Sequence, residues 1–199
     1  DNTQIETQVT DKMTVANRFD AFLRSFQIVE NESKLNINGL FGYSSYESVQ
    51  YFEDVKLKAR ATVPGDMPGL HYVLFKYIIA INHFNNELTI IENLLEGETS
   101  AIPNIERILE NNNVAKYKFE TVGEERCDIS DEDFREMVRR GKAECYKGNV
   151  FQIVLSRRFY QQFKGDDFML YRTLRSVNPS PYLFYFNFGD FRIFGSSPE

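Results

Sequence analysis

Residues 148–159 read GNVFQIVLSRRF, and the fold turns on how this run is read. Gly148 suits the left-handed backbone that ends a helix. Phe151, Ile153 and Leu155 then alternate with Gln152, Val154 and Ser156, which predicts a strand with one apolar and one polar face. On the N-terminal side, Ser130-Asp131-Glu132-Asp133 puts a capping hydroxyl three residues before a carboxylate. Phe134, Met137, Val138 and Gly141 follow on one face, so the spacing predicts a helix from Ser130 to Gly148. On the C-terminal side a second helix is expected over residues 166–177. Asn178-Pro179-Ser180-Pro181 ends it, because proline neither donates to a helix nor lets its predecessor stay helical. Residues 182–188 and 191–194 then form a hairpin across Gly189-Asp190, where a leading glycine suits a type II′ turn.

Further toward the N-terminus, residues 1–10 are polar and read as lightly tied down. Val15, Phe19, Phe22, Leu23 and Phe26 recur at helical spacing behind Thr14, predicting an amphipathic helix over residues 14–29 with Thr14 as its cap. Gly39-Leu40-Phe41-Gly42-Tyr43 reads as a strand whose glycines let another backbone approach. A short helix over 45–52 and a loop through Pro64, Gly65, Pro68 and Gly69 come next. Residues 70–81 are nearly all apolar, as in a central strand buried on both faces. Asn85-Asn86 turns the chain into a second strand over 87–92. Ile102, Ile105, Ile108 and Leu109 mark a helix that ends in Asn111-Asn112-Asn113. The polar stretch from there to Asp128 is the natural boundary between two parts. Hairpins interspersed with helices give an α+β class, with antiparallel sheets and flanking helices.

The chain has 199 residues, 42% of them hydrophobic and 15% aromatic, enough for a packed core. No apolar run approaches the roughly 20 residues that span a bilayer, and no leader precedes Asp1, so neither a membrane nor a secretory route is expected. Starting without Met, the sequence reads as a cut or processed chain. Cys127 and Cys145 are expected to be thiols in a reducing cytoplasm rather than a disulfide or zinc pair. A net charge of −6 disfavours nucleic acid. The charge is uneven, with six basic and four acidic residues from Val150 onward, a balance that suits an anionic small molecule better than the acidic remainder does.

Catalytic patterns are sparse. His71 and His83, the sole candidates for a triad base, lie on or beside the aromatic stretch and read as packing or surface residues. There is no P-loop and no GxGxxG, and His and Cys spacing does not support a metal site. Glu124-Glu125 and Asp131-Glu132-Asp133 read as solvated helix-start charges. Arg157 and Arg158, adjacent on a strand, face opposite ways, and an ion pair is the expected use of either. Asn178-Pro179-Ser180-Pro181-Tyr182-Leu183 differs in kind. A proline-stiffened backbone beside an aromatic ring delivers the chain rigidly into a strand, and could also hold an amino acid's ammonium and apolar side chain.

In their order, GNVFQIVLSRRF, NPSPYLFYF at residues 178–186 and FGSSPE at 194–199 resemble the start of the chorismate-binding domain of anthranilate synthase component I. The resemblance begins near Leu40, with Gly39-Leu40-Phe41-Gly42-Tyr43 and Tyr51-Phe52-Glu53, and is strongest over residues 133–199. Aminodeoxychorismate, isochorismate and salicylate synthases share Ser197-Pro198-Glu199. Val154-Leu155-Ser156-Arg157-Arg158 with Asn178-Pro179-Ser180-Pro181-Tyr182 looks most like anthranilate synthase.

That resemblance implies two packed orthogonal antiparallel sheets with helices outside. It makes residues 1–127 an N-terminal regulatory-type domain, truncated at its start, and residues 128–199 the beginning of the catalytic domain. It implies a Mg²⁺-dependent conversion of chorismate and ammonia to anthranilate and pyruvate in the cytoplasm, with ammonia from glutamine supplied by a separate amidotransferase subunit. Pro181, Tyr182 and Leu183 stand where the family's Pro-Tyr-Met segment contributes to the feedback site for L-tryptophan, with Leu183 in place of Met, a volume-conserving change. The family's Leu-Leu-Glu-Ser segment, whose serine completes that site, has no match before Thr14, so weak or no tryptophan binding is expected. The Mg²⁺ glutamates, the catalytic His and the chorismate-holding Gly-Thr and Arg are all expected beyond Glu199, leaving these residues catalytically inactive, with apolar surface exposed and a tendency to associate. Two alternatives stay open: aminodeoxychorismate synthase component I, and a non-catalytic ligand-binding domain.

Overall fold

A computed structural model describes residues 12–27, 37–58, 66–111, 113–115 and 117–197. The expectations for residues 1–10, the first helix's end at 28–29, the Pro64-Gly65 part of the loop and Pro198-Glu199 fall outside them. Two compact units divide between Asn112 and Asn113.

The first unit carries α1 (Lys12–Arg24), β1 (Leu40–Ser44), a 3₁₀ turn (Tyr46–Tyr51), β2 (Leu70–Leu74), β3 (Tyr77–Asn82), β4 (Glu87–Glu92) and α2 (Ile102–Glu110). Helix α1 begins before Thr14, so that residue sits inside the helix and is not its cap. It closes where the Ser25 hydroxyl donates to the Phe22 carbonyl at 2.6 Å, a local bond that competes with continued helix. Val15 is buried, and Phe19 meets Tyr72 of β2 edge-on at 5.1 Å.

The single buried strand expected over 70–81 is instead two strands in two different sheets. Strand β2 pairs antiparallel with β1 (Gly42 opposite Tyr72), and β3 pairs with β4 (Ala80 opposite Thr89). The break falls at Phe75-Lys76, where the Asn93 side chain donates to the Phe75 carbonyl at 2.7 Å and the Asn93 backbone N–H to the Lys76 carbonyl at 2.7 Å. Asn38 holds the Asn93 amide at 2.6 Å. Bonds spent on Asn93 redirect the chain from one ladder to the next. The stretch is not buried on both faces either, since Ile79 and Ile81 are exposed. The Asn85-Asn86 turn is as expected, with Asn86 at φ +54°. Glu92 accepts from the Ser100 hydroxyl at 2.6 Å and from Ala101 N–H at 3.2 Å, tying β4 to the start of α2.

The second unit carries β5 (Phe119–Cys127), α3 (Asp131–Tyr146), β6 (Phe159–Gly165), α4 (Asp167–Val177), β7 (Tyr182–Asn187) and β8 (Arg192–Ser197). The cap of α3 forms as read, with Asp133 N–H donating to Ser130 Oγ at 3.1 Å and the Ser130 hydroxyl to the Asp133 carboxylate at 2.7 Å. Gly148 follows the helix at φ +77°.

Two expectations fail here. Residues 119–127, read as part of a polar boundary and placed with the N-terminal part, form a strand paired antiparallel with β6, inside the second unit. Phe119 stacks on Phe163 at 5.2 Å, and the register shifts between Val122 and Arg126, which blurs the period that a sequence reading needs. Conversely, residues 150–158 are not a strand, and β6 starts only at Phe159. Alternation makes a strand only where a neighbour completes the ladder. The apolar positions are still used: Ile153 and Leu155 both lie over Gly141, where a Cβ would meet them at 3.4 and 3.3 Å.

The α+β class holds. In place of the two large orthogonal sheets implied by the resemblance, the described strands form four two-stranded antiparallel sheets. Large apolar side chains remain in solvent, Phe84 and Phe151 almost completely. Among the described residues no helix is long and apolar enough to cross a membrane.

Candidate functional site

The site read from the sequence sits where α4 hands the chain to the β7–β8 hairpin. Helix α4 starts at Asp166, whose side chain accepts from Phe168 N–H at 3.0 Å. It ends with Asn178 N–H on the Leu174 carbonyl at 2.9 Å. The two prolines then force an extended path, which two serines fasten to β8. Ser196 Oγ donates to the Asn178 carbonyl at 2.5 Å. Ser180 Oγ donates to the Ser197 carbonyl and accepts from Tyr182 N–H at 3.1 Å. The segment is therefore a braced edge of the hairpin.

Pairing decides which side chains share a face. Leu183 lies opposite Ser196, Tyr185 opposite Phe194 and Asn187 opposite Arg192, so these share one face of the hairpin. That face receives α4: Tyr185 meets Phe168 edge-on at 5.1 Å and stacks on Phe194 at 5.8 Å, and Tyr171 lies 5.5 Å from the Tyr185 ring. Tyr182 belongs to the other face with Phe184, whose ring covers Gly195. Tyr182 is 62% exposed and Leu183 half-buried. Sequence reasoning placed Pro181, Tyr182 and Leu183 in one site. The structure keeps them contiguous and turns the Tyr182 and Leu183 side chains to opposite faces, so Tyr182 offers the accessible ring and Leu183 packs.

Sequence reading missed the polar knot beneath this segment. Tyr185 Oη donates to Asp167 Oδ1 at 2.6 Å, and Arg192 Nε lies 3.2 Å from Asp167 Oδ2. Burial, and then the Asp167 hydrogen bond, raise the Tyr185 phenol above the ordinary tyrosine range, with Arg192 opposing. The available signal was Asp166-Asp167 at a helix start, which reads as ordinary capping charge until the hairpin is folded back on it.

A second charged cluster involves Arg157. Its guanidinium lies 4.5 Å from the Phe159 ring centroid and 5.2 Å from that of Phe134, and donates to Asp131 Oδ1 at 2.5 Å. The expected ion pair is present, with cation–π contacts on both sides. Arg158 N–H donates to Asp128 Oδ1 at 2.8 Å. The Arg157 hydrogen bond and charge hold the Asp131 carboxyl below its ordinary value. A carboxyl depressed in the folded state stabilises above its unfolded value of about 3.9, and that contribution fades as pH falls through the folded value. Acid unfolding followed by circular dichroism should therefore show a shallower loss of stability below pH ~4 for Asp131→Asn than for the wild type. Parallel acid curves would show that the pair adds nothing.

Among the described residues no three His, Cys, Asp or Glu side chains converge to hold a metal ion. Scattered in this way, the carboxylates among the described residues do not fit Mg²⁺. Cys127 is exposed and Cys145 half-buried, both free thiols.

A family model described as chorismate binding enzyme matches residues 2–199. Anthranilate synthase component 1 of Methanothermobacter thermautotrophicus is 32% identical over 190 residues, covering 95% of this chain and 38% of that protein. The protein of that name from Aquifex aeolicus is 31% identical, covering 81% and 35%. Among solved structures, anthranilate synthase component I from Streptococcus pneumoniae TIGR4 superposes with a TM-score of 0.62 at 26% identity, over 90% of this chain and 43% of that one. The chain thus spans somewhat more than a third of the length of the curated relatives it matches.

Proposed function

The chain belongs to the chorismate-binding enzyme family, and from that premise we propose that it forms part of the large subunit of an anthranilate synthase, acting in the cytoplasm in tryptophan synthesis. The observation that carries this reading is the match over 95% of the chain to a protein of that name, joined to the Asn178-Pro179-Ser180-Pro181-Tyr182 run. In the reaction, ammonia adds at ring carbon 2 of chorismate as the 4-hydroxyl leaves as water, and elimination of pyruvate then gives the aromatic anthranilate. The whole enzyme would use Mg²⁺, and ammonia would come from glutamine through a partner amidotransferase subunit.

Within this reading the first unit is regulatory in type and the second begins the chorismate-binding part. The residues described here supply a regulatory contact, not the chemistry. Pro181, Tyr182 and Leu183 form one wall of an L-tryptophan seat, with the exposed Tyr182 ring against the ligand and Leu183 holding the strand from behind. Support comes from the braced backbone between Asn178 and Tyr182.

The test incubates the product of the gene encoding this chain with chorismate, Mg²⁺ and ammonium and identifies the product by chromatography and fluorescence. Anthranilate, suppressed by added L-tryptophan, is the expected result. Aminodeoxychorismate would keep the substrate and replace the reaction. The 199 residues alone are expected to form no anthranilate; turnover by them would overturn that part of the proposal.

A further inference from the structure

We propose that Asp167 is a positioning residue for the 181–183 segment, a role that deepens the tryptophan-seat reading and rests on it for its functional consequence. One carboxylate at the first turn of α4 engages both strands of the hairpin, Tyr185 of β7 at 2.6 Å and Arg192 of β8 at 3.2 Å. Its side chain is only 19% exposed, so water replaces those bonds poorly. Arg192 also donates to the Gly189 carbonyl at 3.1 Å, extending the grip to the hairpin turn.

Tyr185 and Leu183 are two residues apart on one face of the same strand, and Tyr182 directly precedes Leu183. A strand moves as a pleated unit, so the depth at which Tyr185 sits on α4 sets the depth of Leu183 and the tilt at which Tyr182 leaves the opposite face. The serine braces hold the far end of the segment to β8. The Ser196 brace reaches only Asn178, the C-cap of α4, so the Asp167 bonds are what tie the hairpin to the opposite, N-terminal end of the helix.

Removing the acceptor leaves the half-buried Tyr185 phenol and the more exposed Arg192 guanidinium without their shared partner, and the hairpin shifts to find new ones. Tyr185→Phe removes one of the two bonds and keeps the ring packing. Asp167→Asn keeps an acceptor for Tyr185 and removes the charge that faces Arg192.

The experiment uses the 199-residue chain with isotope-labelled tyrosine and leucine, comparing wild type, Tyr185→Phe and Asp167→Asn by nuclear magnetic resonance, first without ligand and then with L-tryptophan. In both variants the Tyr182 ring and Leu183 methyl resonances should move while Tyr160 in β6 stays put, and any wild-type tryptophan affinity should weaken about fivefold. A merely stabilising role would lower the melting temperature and leave Tyr182 where it was. Unmoved Tyr182 and Leu183 signals in variants that remain folded would overturn the proposal. If the variants displace Tyr182 while anthranilate formation by the product of the gene is unaffected by L-tryptophan, the positioning role stands and the tryptophan seat falls.

Discussion

Gly165→Ala should abolish cooperative folding of the second unit. Gly165 closes β6 at φ +100°, opposite Phe119 in the ladder with β5. A Cβ built there would lie 1.7 Å from the Lys118 carbonyl oxygen and 3.2 Å from the Phe119 Cα. Both obstacles are backbone, so no side chain can swing aside. The same Lys118 carbonyl accepts from Asp166 N–H at 3.1 Å, where the chain enters α4. Relieving the clash therefore opens the β5–β6 ladder and disturbs the helix that carries Asp167. A left-handed conformation costs an L-residue about 1–3 kcal/mol, and forced overpacking about as much again or more. The sum, on the order of 4 kcal/mol, is comparable with the whole stability of a small domain. Gly123→Ala separates the two terms: its φ is +71° and nothing lies within 4 Å of its Cβ, so it should cost only the conformational part. Thermal unfolding followed by near-ultraviolet circular dichroism decides the matter, and equal melting temperatures for the two variants would refute the overlap argument.

Gly42→Ala is the corresponding change in the first unit. Here the Cβ would stand 1.9 Å from the His71 carbonyl oxygen and 2.7 Å from the Tyr72 Cα, so β1 and β2 must part. The loss is about 3 kcal/mol or more, in the range of severe overpacking. It would also move Tyr72 from its contact with Phe19 of α1. Gly39→Ala, with nothing within 4 Å, should be close to neutral. Hydrogen exchange at the β1 and β2 amides should accelerate in Gly42→Ala and not in Gly39→Ala; protection retained in both would show that the strands yield without separating.

Much of the helical structure was legible because its signals are local. The Ser130 cap, the Gly148 stop and the Asp166 start lie within a turn of the residues they act on. The β3–β4 and β7–β8 hairpins were legible for the same reason, since a short turn sets each register. Long-range pairings were not. Strand β5 has an interrupted period and finds its partner only after α3 has intervened. Residues 150–158 have a clean period and no ladder, because alternation records which faces are apolar and not whether a neighbour is there. The kink at Phe75-Lys76 depends on Asn93, 18 residues away.

By itself, the sequence determined the family, the α+β class, the α3 cap and stop and the α4 start, and the placing of Pro181, Tyr182 and Leu183 in one contiguous segment, because each is written in residue identity or in spacing shorter than an element. Tertiary structure decided which of those side chains faces outward and what holds them. Whether Tyr182 or Leu183 meets solvent depends on which face of the hairpin α4 covers, and whether Asp167 is a capping charge or a tie between the start of the helix and the hairpin depends on Tyr185 and Arg192 arriving beside it. Those contacts form between elements, where a carboxylate gains its partners from the fold and not from its neighbours in the chain.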